Sequence, residues 1–403
     1  MWEVKRAVTA FVALAVVATT LPHTRVARAA TAPIERRAQD HATANRRPSP
    51  VATSARAPAL GAAAGILVDG DDGQILWERQ SRQRRAIAST TKILTALIVI
   101  EKASPRERVT ASARAEAVGS NDALVTELEL TRGESLTVEE LLYGLLLISA
   151  SDAAVALAEH VGGSVEGFAR IMNDRARQIG VTDSHFVNAD GLDAPNHYST
   201  AYDLSLIARA AMRDPLFRRI VASKTHQIPW AGRPHPRILM NRNQLLGVLP
   251  GASGIKTGNT RAAGRSLVAS VDRNGERRIS VLLASPEPFS ESASLLGYGF
   301  SAFRRHFIAT RGRPWGQITY GDGTSANVVP RRDLTLLVPA SAPAPPARYD
   351  PVARQIVVEI PTRLVVPADP RCGGPPCRLP VRPRGRLLGG FVFLFAPLLS
   401  LFR

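Results

Sequence analysis

The sequence predicts an α/β domain over residues 61–310, with helices between two sets of antiparallel strands. Hairpin patterns occur at both ends of this range, where apolar segments flank turns rich in Asp, Asn and Gly. Segments with helix-capping residues and apolar runs occupy the middle. Because the hairpins lie on either side of the helices, we expect one antiparallel sheet to be built from both ends of the range and to be flanked by helices.

Paired apolar runs define the two hairpins. Residues 66–68 and 74–77 flank an Asp/Gly-rich turn, and residues 266–271 and 278–283 flank a turn that contains Asn-Gly. Short apolar runs bounded by such turns are typical of antiparallel strand pairs. The first pair opens the domain and the second follows the helices.

Five helices are predicted between the hairpins. The first begins at Ser89, runs to about Lys102 and is apolar on most faces, which indicates a buried central helix. A capping box at Thr137 precedes the second helix, and glycines end the third and fourth. The second to fifth helices are predicted over about 141–148, 152–160, 167–179 and 201–212.

The N-terminal segment indicates export. Lys5 and Arg6 precede an apolar stretch, and Ala27-Arg28-Ala29 supplies small residues at a cleavage spacing, so residues 1–29 are predicted to be a Sec-type signal peptide. A retained membrane anchor is the alternative, which the shortness of the apolar run disfavours. Residues 30–60 are rich in Ala, Arg, Pro and Thr and are predicted to be a disordered basic linker.

The C-terminal part divides into three predicted segments. Short β runs predict a small β-rich domain over 315–368, and a basic Pro/Gly/Arg linker over 369–386 contains Cys372 and Cys377, which are close enough in sequence for a small disulfide loop. Residues 387–402 form an apolar tail of about 24 Å if helical, against a bilayer core of about 30 Å. We expect this tail to associate with a membrane; the alternative is a tail without an anchoring role.

The net charge of the chain limits the classes of binding partner that we expect. The formal net charge is +17, which favours attraction to a polyanion such as anionic lipid, a wall polymer or nucleic acid. The sequence has no nucleic-acid-binding motif and few aromatic residues, so we predict a cell-surface setting and no nucleic-acid partner. An arginine-biased composition is the plain alternative, since 46 of the 51 basic residues are arginines and five are lysines.

Two of the five lysines lie in motifs that suggest acyl transfer. Ser89 and Lys92 are three residues apart at the start of a helix, which puts a hydroxyl beside an amine on one face. Lys256-Thr257-Gly258 lies far downstream. Unlike arginine, a buried lysine can give up its proton, so Lys92 can serve as the base for a serine nucleophile. Chance placement of the lysines is the alternative.

The motifs together resemble those of the low-molecular-mass penicillin-binding proteins, the D-alanyl-D-alanine carboxypeptidases. The resemblance lies in residues 88–92, 186–192, 197–203 and 254–258 and covers about 60–310. It implies a serine β-lactamase/DD-peptidase-like fold, export, a C-terminal β domain and a membrane tail. It also implies a two-step D-Ala-D-Ala carboxypeptidase that acts on peptidoglycan stem peptides, is acylated by penicillins and other β-lactams, and needs no cofactor or metal.

The resemblance assigns the catalytic roles. Ser89 is the acylated nucleophile, Lys92 takes its proton with a pKa lowered towards 7–8, and Ser149 relays a proton to the leaving amine. Lys256 is expected to lower the pKa of Lys92 by like charge.

The resemblance also assigns the binding roles. Lys256 and Thr257 bind the terminal carboxylate, and Gly258 lets the substrate backbone approach the strand edge. The backbone N–H groups of Ser89 and Asn259 form the oxyanion hole.

The second family motif departs from the usual Ser-x-Asn. Here Ser149-Ala150-Ser151 precedes Asp152, so Ser151 stands where the family has an asparagine that holds substrate. Losing one hydrogen bond, worth roughly 0.5–1.5 kcal/mol, predicts slower turnover rather than an inactive enzyme. Ser120-Asn121-Asp122 also spells a serine motif but precedes the capping box, and we interpret it as a decoy.

Two alternative functions remain open at this stage. One is a catalytically weakened peptidoglycan-binding or β-lactam-sensing relative, in which Ser151 marks the loss of activity. The other is a β-lactamase, for which Glu166 is the nearest carboxylate after the second motif. The role of Asn188 is undecided between turn and site, and His185 and His197 have no metal-ligand spacing and are predicted to be structural.

Overall fold

The computed structural model describes residues 56–118, 125–319, 323–343, 347–350, 355–358 and 364–371. In chain order the strands are β1 (Ala64–Asp69), β2 (Ile75–Arg79), β3 (Arg108–Thr110), β4 (Ser135–Thr137), β5 (Thr225–Ile228), β6 (Arg237–Met240), β7 (Ala252–Thr260), β8 (Gly264–Arg273), β9 (Glu276–Leu283), β10 (Phe303–Ala309), β11 (Gly316–Thr319), β12 (Ser325–Pro330), β13 (Leu334–Pro339), β14 (Ala347–Asp350), β15 (Gln355–Val358) and β16 (Leu364–Arg371). The helices are α1 (Lys92–Lys102), α2 (Ala113–Glu116), α3 (Val138–Tyr143), α4 (Ser151–Gly162), α5 (Val165–Ile179), α6 (Ala201–Ala211), α7 (Pro215–Ala222) and α8 (Pro288–Ser301).

The central sheet joins the two ends of the predicted domain. Its five antiparallel strands lie in the order β2-β1-β9-β8-β7, and β1 pairs with β9 from Ala64 opposite Leu283 to Asp69 opposite Arg278. Both predicted hairpins are present, as β1–β2 and β8–β9. The prediction of an α/β domain with one sheet built from both ends is therefore confirmed, and it leaves β7 as an edge strand.

Helix α1 lies in the core, as predicted. Every residue from Lys92 to Val99 is buried, and the helix contacts α4, α5 and α6. Full burial of each Ile, Leu or Val side chain stabilises the fold by about 1.5–3 kcal/mol, so α1 is held by its surroundings on most sides. The helix starts later than predicted, because Ser89 lies in a short 3-10 turn, Ala88–Thr91, that precedes it.

The caps that the sequence indicated are made. Thr137 and Glu140 form a reciprocal capping box at the start of α3, and Thr200 accepts a hydrogen bond from the Asp203 N–H at the start of α6. Gly163 and Gly180 take the left-handed conformation after α4 and α5. These caps satisfy N–H and C=O groups that helix ends otherwise leave unpaired.

The C-terminal strands extend the β structure from Phe303 onwards. Strand β10 pairs with β13, while the other five form a sheet in the order β11-β12-β16-β15-β14. A buried ion cluster ties β10 to the central sheet: the Asp69 carboxylate contacts Arg278 at 2.9 Å and Arg305 at 2.5 Å. Arg305 also pairs with Glu276 on β9 at 2.8 Å.

Several predictions concern residues outside the described ranges. They are the signal peptide at 1–29, most of the linker at 30–60, the Ser120-Asn121-Asp122 decoy, and the cysteines and apolar tail within 372–403. Across the ranges that the structure does describe, we find no helix with the length and apolar character needed to cross a bilayer.

Candidate active site

The Ser89 hydroxyl and the Lys92 amine are in direct contact. Lys92 Nζ lies 3.0 Å from Ser89 Oγ, 2.6 Å from the carbonyl oxygen of Asp190 and 3.3 Å from Ser151 Oγ. The lysine side chain is fully buried, whereas Ser89 lines an open cleft. The predicted contact between the Ser89 hydroxyl and the Lys92 amine is therefore present, with the amine on the buried side of the hydroxyl.

Burial sets the protonation of Lys92. The pKa of its amine is lowered to about 8, mainly by desolvation, and the positive charge of Arg242 acts in the same direction. Asp190 and Asp152 act in the opposite direction but do not cancel the effect of burial. A lysine with this pKa is partly neutral near pH 7, as a general base must be.

The turn that carries Ser89 is fixed from both sides. Thr90 Oγ1 donates a 2.6 Å hydrogen bond to the Ile87 carbonyl, and Ala88 has a positive φ of 48°. Such a backbone conformation is uncommon for alanine and persists only where the surroundings hold it. A Cβ on Gly191 would lie 2.0 Å from the Ala88 carbonyl oxygen, so only glycine fits against this turn.

Asn188 builds the turn that reaches Lys92. Its Nδ2 donates to the Leu192 carbonyl at 2.9 Å and its Oδ1 accepts from the Gly191 N–H at 2.8 Å. These bonds hold the loop in which the Asp190 carbonyl faces Lys92 Nζ. The role left undecided by the sequence is therefore resolved as positioning: Asn188 acts on the site through the backbone.

The two histidines near this loop form hydrogen bonds within the protein, and His185 Nδ1 lies 2.7 Å from the Asn196 carbonyl oxygen. The Val187 N–H donates to His197 Nδ1 at 3.2 Å, so Nε2 carries the proton and donates to Thr91 Oγ1 at 2.9 Å. Burial lowers the pKa of His197 to about 4, which keeps the ring neutral. Within the described part of the chain no group of His, Cys, Asp and Glu could hold a metal ion.

The left-handed backbone conformation of Ser149 sets the position of the second motif, residues 149–151. A π-helical turn, Gly144–Ile148, follows α3, and Ser149 after it has φ 72° and ψ 31°. This bend directs Ser149 into the cleft, where it is 7 % exposed. Ser151 begins α4 and its N–H donates to the Thr126 carbonyl at 2.8 Å, which fixes the other side of the motif.

Lys256 lies on β7, buried behind the cleft. It is 1 % exposed, and its Nζ donates to the Thr257 carbonyl at 3.0 Å. Burial lowers its pKa well below the ordinary value, and the charges of Lys92 and Arg242 lower it further. For both lysines burial is the main cause of the lowered pKa, and the mutual repulsion of the two amines is a smaller contribution.

Gly258 has a second reason to be glycine. A Cβ there would lie 3.1 Å from the Ile87 carbonyl oxygen and 3.2 Å from Ala88 Cβ. The residue therefore allows β7 to pack against the turn that carries the nucleophile, in addition to any approach of a substrate. This packing of β7 against the Ala88–Thr91 turn, which the sequence did not indicate, brings the two motifs together.

Most of the residues to which the sequence analysis assigned a role line one cleft of about 1040 Å³. Its lining includes Ser89, Ser149, Ser151, Thr257, Gly258 and Asn259. Lys92 and Lys256 complete the set from beneath the surface. Every residue assigned a role by the sequence is thus part of one site or in contact with it.

Three arginines on the cleft were not singled out from the sequence. Arg242, Arg261 and Arg265 line it, and in a chain with 46 arginines no local pattern distinguishes them. Of the three, Arg242 is the one whose positive charge lowers the pKa of both Lys92 and Lys256. Its position makes it a candidate for binding an anionic group of a substrate.

Carboxylates are scarce at this site. Among the described residues that line the cleft, Asp193 is the one acidic side chain, and its oxygens accept from Thr260 Oγ1 and the Ala262 N–H. Glu166 does not line the cleft; it is exposed and forms a two-bond ion pair with Arg114 at 2.9 and 3.2 Å. The residue considered as a β-lactamase base is therefore engaged elsewhere.

Comparison with known proteins agrees with this geometry. Residues 51–287 match the peptidase family described as D-alanyl-D-alanine carboxypeptidase. The chain is 30 % identical over 277 residues to the D-alanyl-D-alanine carboxypeptidase DacF of Bacillus subtilis, covering 65 % of this chain and 68 % of that protein. It is 34 % identical over 244 residues to DacB2 of Mycobacterium tuberculosis, covering 59 % and 81 %.

A solved structure shows the same fold over most of its length. Penicillin-binding protein 5 of Haemophilus influenzae superposes with a TM-score of 0.68 at 27 % identity, covering 78 % of this chain and 97 % of that one. The serine–lysine pair, the shared cleft and the matched span lead to one assignment: the chain belongs to the D-alanyl-D-alanine carboxypeptidase family of serine peptidases.

Proposed function

We propose that this chain removes the terminal D-alanine from peptidoglycan stem peptides through an acyl-enzyme on Ser89. The observation that carries the proposal is the 3.0 Å contact between Ser89 Oγ and a buried Lys92 amine whose pKa is lowered to about 8. A serine hydroxyl is a weak nucleophile until a base takes its proton, and the neutral amine is that base. The same nucleophile is acylated by penicillins.

The contacts of Lys92 fit an acceptor of the serine proton. A neutral amine has two N–H donors and one lone pair, and the Asp190 carbonyl oxygen at 2.6 Å only accepts. One N–H is directed to that carbonyl and the other to Ser151 Oγ at 3.3 Å, which leaves the lone pair for Ser89. In this arrangement Asp190 and Ser151 orient the base without reacting.

Collapse of the first tetrahedral intermediate requires a proton on the leaving amine. We assign that transfer to Ser149, which the left-handed bend after the π turn directs into the cleft. The oxyanion is assigned to the backbone N–H groups of Ser89 and Asn259, both on the cleft. Water then attacks the acyl-enzyme and regenerates Ser89.

The free carboxylate of the substrate is assigned to Lys256, Thr257 and Arg242. Lys256 is desolvated and repelled by Lys92, so its cationic form is unfavourable in the empty cleft. A carboxylate bound beside it favours the charged form again. Substrate binding therefore raises the proton affinity of Lys256 and places the anion where the cleft is most basic.

The direct test is D-alanine release from a synthetic pentapeptide that ends in D-Ala-D-Ala. We expect release by the wild type and covalent labelling by a fluorescent penicillin at one site. Labelling without any release would favour the weakened relative that binds or senses β-lactams. The absence of both labelling and D-alanine release would contradict the proposal.

The rate of acylation should depend on pH through Lys92. The pKa is lowered to about 8, so roughly a tenth of the amine is neutral at pH 7 and roughly nine tenths at pH 9. We therefore expect the acylation rate at saturating peptide to rise with pH, with a midpoint near pH 8, and to level off above it. A profile that is flat from pH 6 to pH 9 would contradict Lys92 as the base.

Ser151→Asn tests the departure from the family motif. An asparagine amide offers a longer reach and two donors where the serine offers one hydroxyl. We expect D-alanine release to increase by roughly 2- to 10-fold, corresponding to one hydrogen bond of about 0.5–1.5 kcal/mol. A gain of several hundredfold would instead indicate a degenerate site. Ser301→Asn, at an exposed serine at the end of α8 that does not line the cleft, serves as control.

A β-lactamase is the second enzyme class to exclude. Fast hydrolysis of an acyl-enzyme needs a base for water, and Glu166 is held by Arg114 outside the cleft. We therefore expect nitrocefin to give a stoichiometric burst and slow release. Rapid multiple turnover of nitrocefin would revive the β-lactamase alternative.

Export and membrane association belong to the same proposal. The basic and apolar residues of 1–29 support a signal peptide, and the uncharged run 387–402 supports attachment at the outer face of the cytoplasmic membrane. The division into 61–310, 315–368 and 369–386, like a disulfide between Cys372 and Cys377, also remains a prediction. Partition of the full chain into the membrane fraction, lost on deletion of 387–402, would support the anchor.

A further inference from the structure

Two arginines at the outer end of the cleft have no role in the proposed reaction. Arg261 lies in the turn between β7 and β8, and Arg265 lies on β8 opposite Asn259. Arg261 is exposed, and its guanidinium has no hydrogen bond or ion pair with any described residue. Arg265 is about half exposed; it donates to the Pro286 carbonyl at 2.6 Å and lies 3.7 Å from Glu287.

The assigned roles fix the direction in which a peptide lies in the cleft. Its terminal carboxylate is at Lys256 and Thr257, and its scissile carbonyl is at Ser89 and Asn259. The residues before the scissile bond therefore follow the free edge of β7 towards Thr260 and the Arg261 turn. A strand rises about 3.3 Å per residue, so the residue that precedes the two D-alanines comes beside this turn.

The described residues that line the cleft include three arginines and one acidic residue, so basic side chains are in excess there. The terminal carboxylate is already matched by Lys256, Thr257 and Arg242, so it does not need the outer arginines. Asp193 carries a negative charge nearby, but its oxygens accept from Thr260 Oγ1 at 2.7 Å and the Ala262 N–H at 3.1 Å and form no ion pair with Arg261 or Arg265. Guanidinium groups bind carboxylates in two-bond geometry and repel ammonium groups.

We propose that Arg261 and Arg265 bind a second carboxylate of the substrate, carried on the side chain of the residue that precedes the D-alanyl-D-alanine pair. The preferred substrates are then stem peptides in which this side chain is long and acidic, and a lysine side chain at the same position is disfavoured. This inference rests on the proposed function, because it takes its peptide direction from the roles of Ser89 and Lys256.

Three peptides of matched length test the proposal. Each ends in D-Ala-D-Ala, and the residue before is L-2-aminopimelic acid, Nε-acetyl-lysine or lysine, with the α-amine acetylated. For two partly exposed charge pairs we expect kcat/KM for the acidic peptide to exceed that for the acetyl-lysine peptide roughly fivefold at low salt. The advantage should shrink at high ionic strength, and the lysine peptide should be slowest.

Substitution of the two arginines tests whether they cause the preference for the acidic peptide. In Arg261→Gln/Arg265→Gln the ratio of acidic to neutral peptide should fall to about one, while Arg106→Gln, an exposed arginine outside the cleft, should keep the wild-type ratio. Penicillin labelling of each variant confirms that the site is folded. Equal rates for the acidic and neutral peptides in the wild type, or a ratio that survives the double substitution, would overturn the inference. Cleavage of none of the three peptides would instead refute the proposed function itself.

Discussion

Ser89→Ala is expected to abolish penicillin labelling and to lower the rate of D-alanine release by about 10³-fold or more, because the acyl-enzyme forms on this oxygen. The Ser89 side chain packs no core, so the loss is chemical. The Lys92 amine keeps its contacts with Asp190 and Ser151 when the hydroxyl is removed. The measurement is the release of D-alanine from a pentapeptide, with gel fluorescence of a labelled penicillin on the same preparations.

A matched substitution separates the nucleophile from a general effect of losing a hydroxyl. Ser294→Ala on α8 removes an exposed hydroxyl that donates to the Ser290 carbonyl and should leave both signals unchanged. Penicillin labelling that persists in Ser89→Ala would place the nucleophile elsewhere. Loss of labelling with normal D-alanine release would show that the two reactions use different residues.

Lys92→Arg is expected to reduce acylation by about 10²- to 10⁴-fold, the range attributed to general-base catalysis. The substitution keeps the positive charge, but a guanidinium does not lose its proton in a protein and so cannot accept the proton of Ser89. The second-order rate constant for acylation by penicillin is the measurement. The rise in rate around pH 8 should disappear together with the activity.

The buried position of Lys92 requires a check on folding. Arginine is larger, and overpacking a buried site costs about 1–3 kcal/mol, so thermal unfolding of the variant should be recorded beside its kinetics. Lys102→Arg at the exposed end of α1 is the matched control and should acylate at the wild-type rate. Acylation of Lys92→Arg at the wild-type rate would exclude a neutral lysine as the base.

The elements of the fold that were predicted correctly are those with strong local sequence patterns. The Asn-Gly turn and its apolar flanks predicted β8–β9, and the Thr137 capping box marked α3. Helix α8 was missed, although it covers the sheet, because its sequence is rich in Ser and Gly, which are poor helix formers. The short pair β5–β6 was missed because its residues alternate weakly between polar and apolar.

Prediction of the site succeeded where a residue type is rare and failed where it is common. Lysine is rare in this chain, so Lys92 and Lys256 were recognisable from their motifs. Arginine is common, and only the fold shows that Arg242, Arg261 and Arg265 share one cleft. The positioning role of Asn188 was equally hidden, because it acts through hydrogen bonds to a loop whose path depends on tertiary contacts.

The ion cluster around Asp69 bears on how this protein should be truncated. A fragment that stops at residue 301 keeps the catalytic motifs but loses Arg305, one of the two cations that contact a fully buried carboxylate. A fragment that stops at residue 310 keeps Arg305 but leaves β10 without β13, its partner strand. An end point at Pro339 restores β13 but leaves β12 without β16, its own partner, so by the same criterion expression work should compare fragments that end at Pro339 and at Arg371.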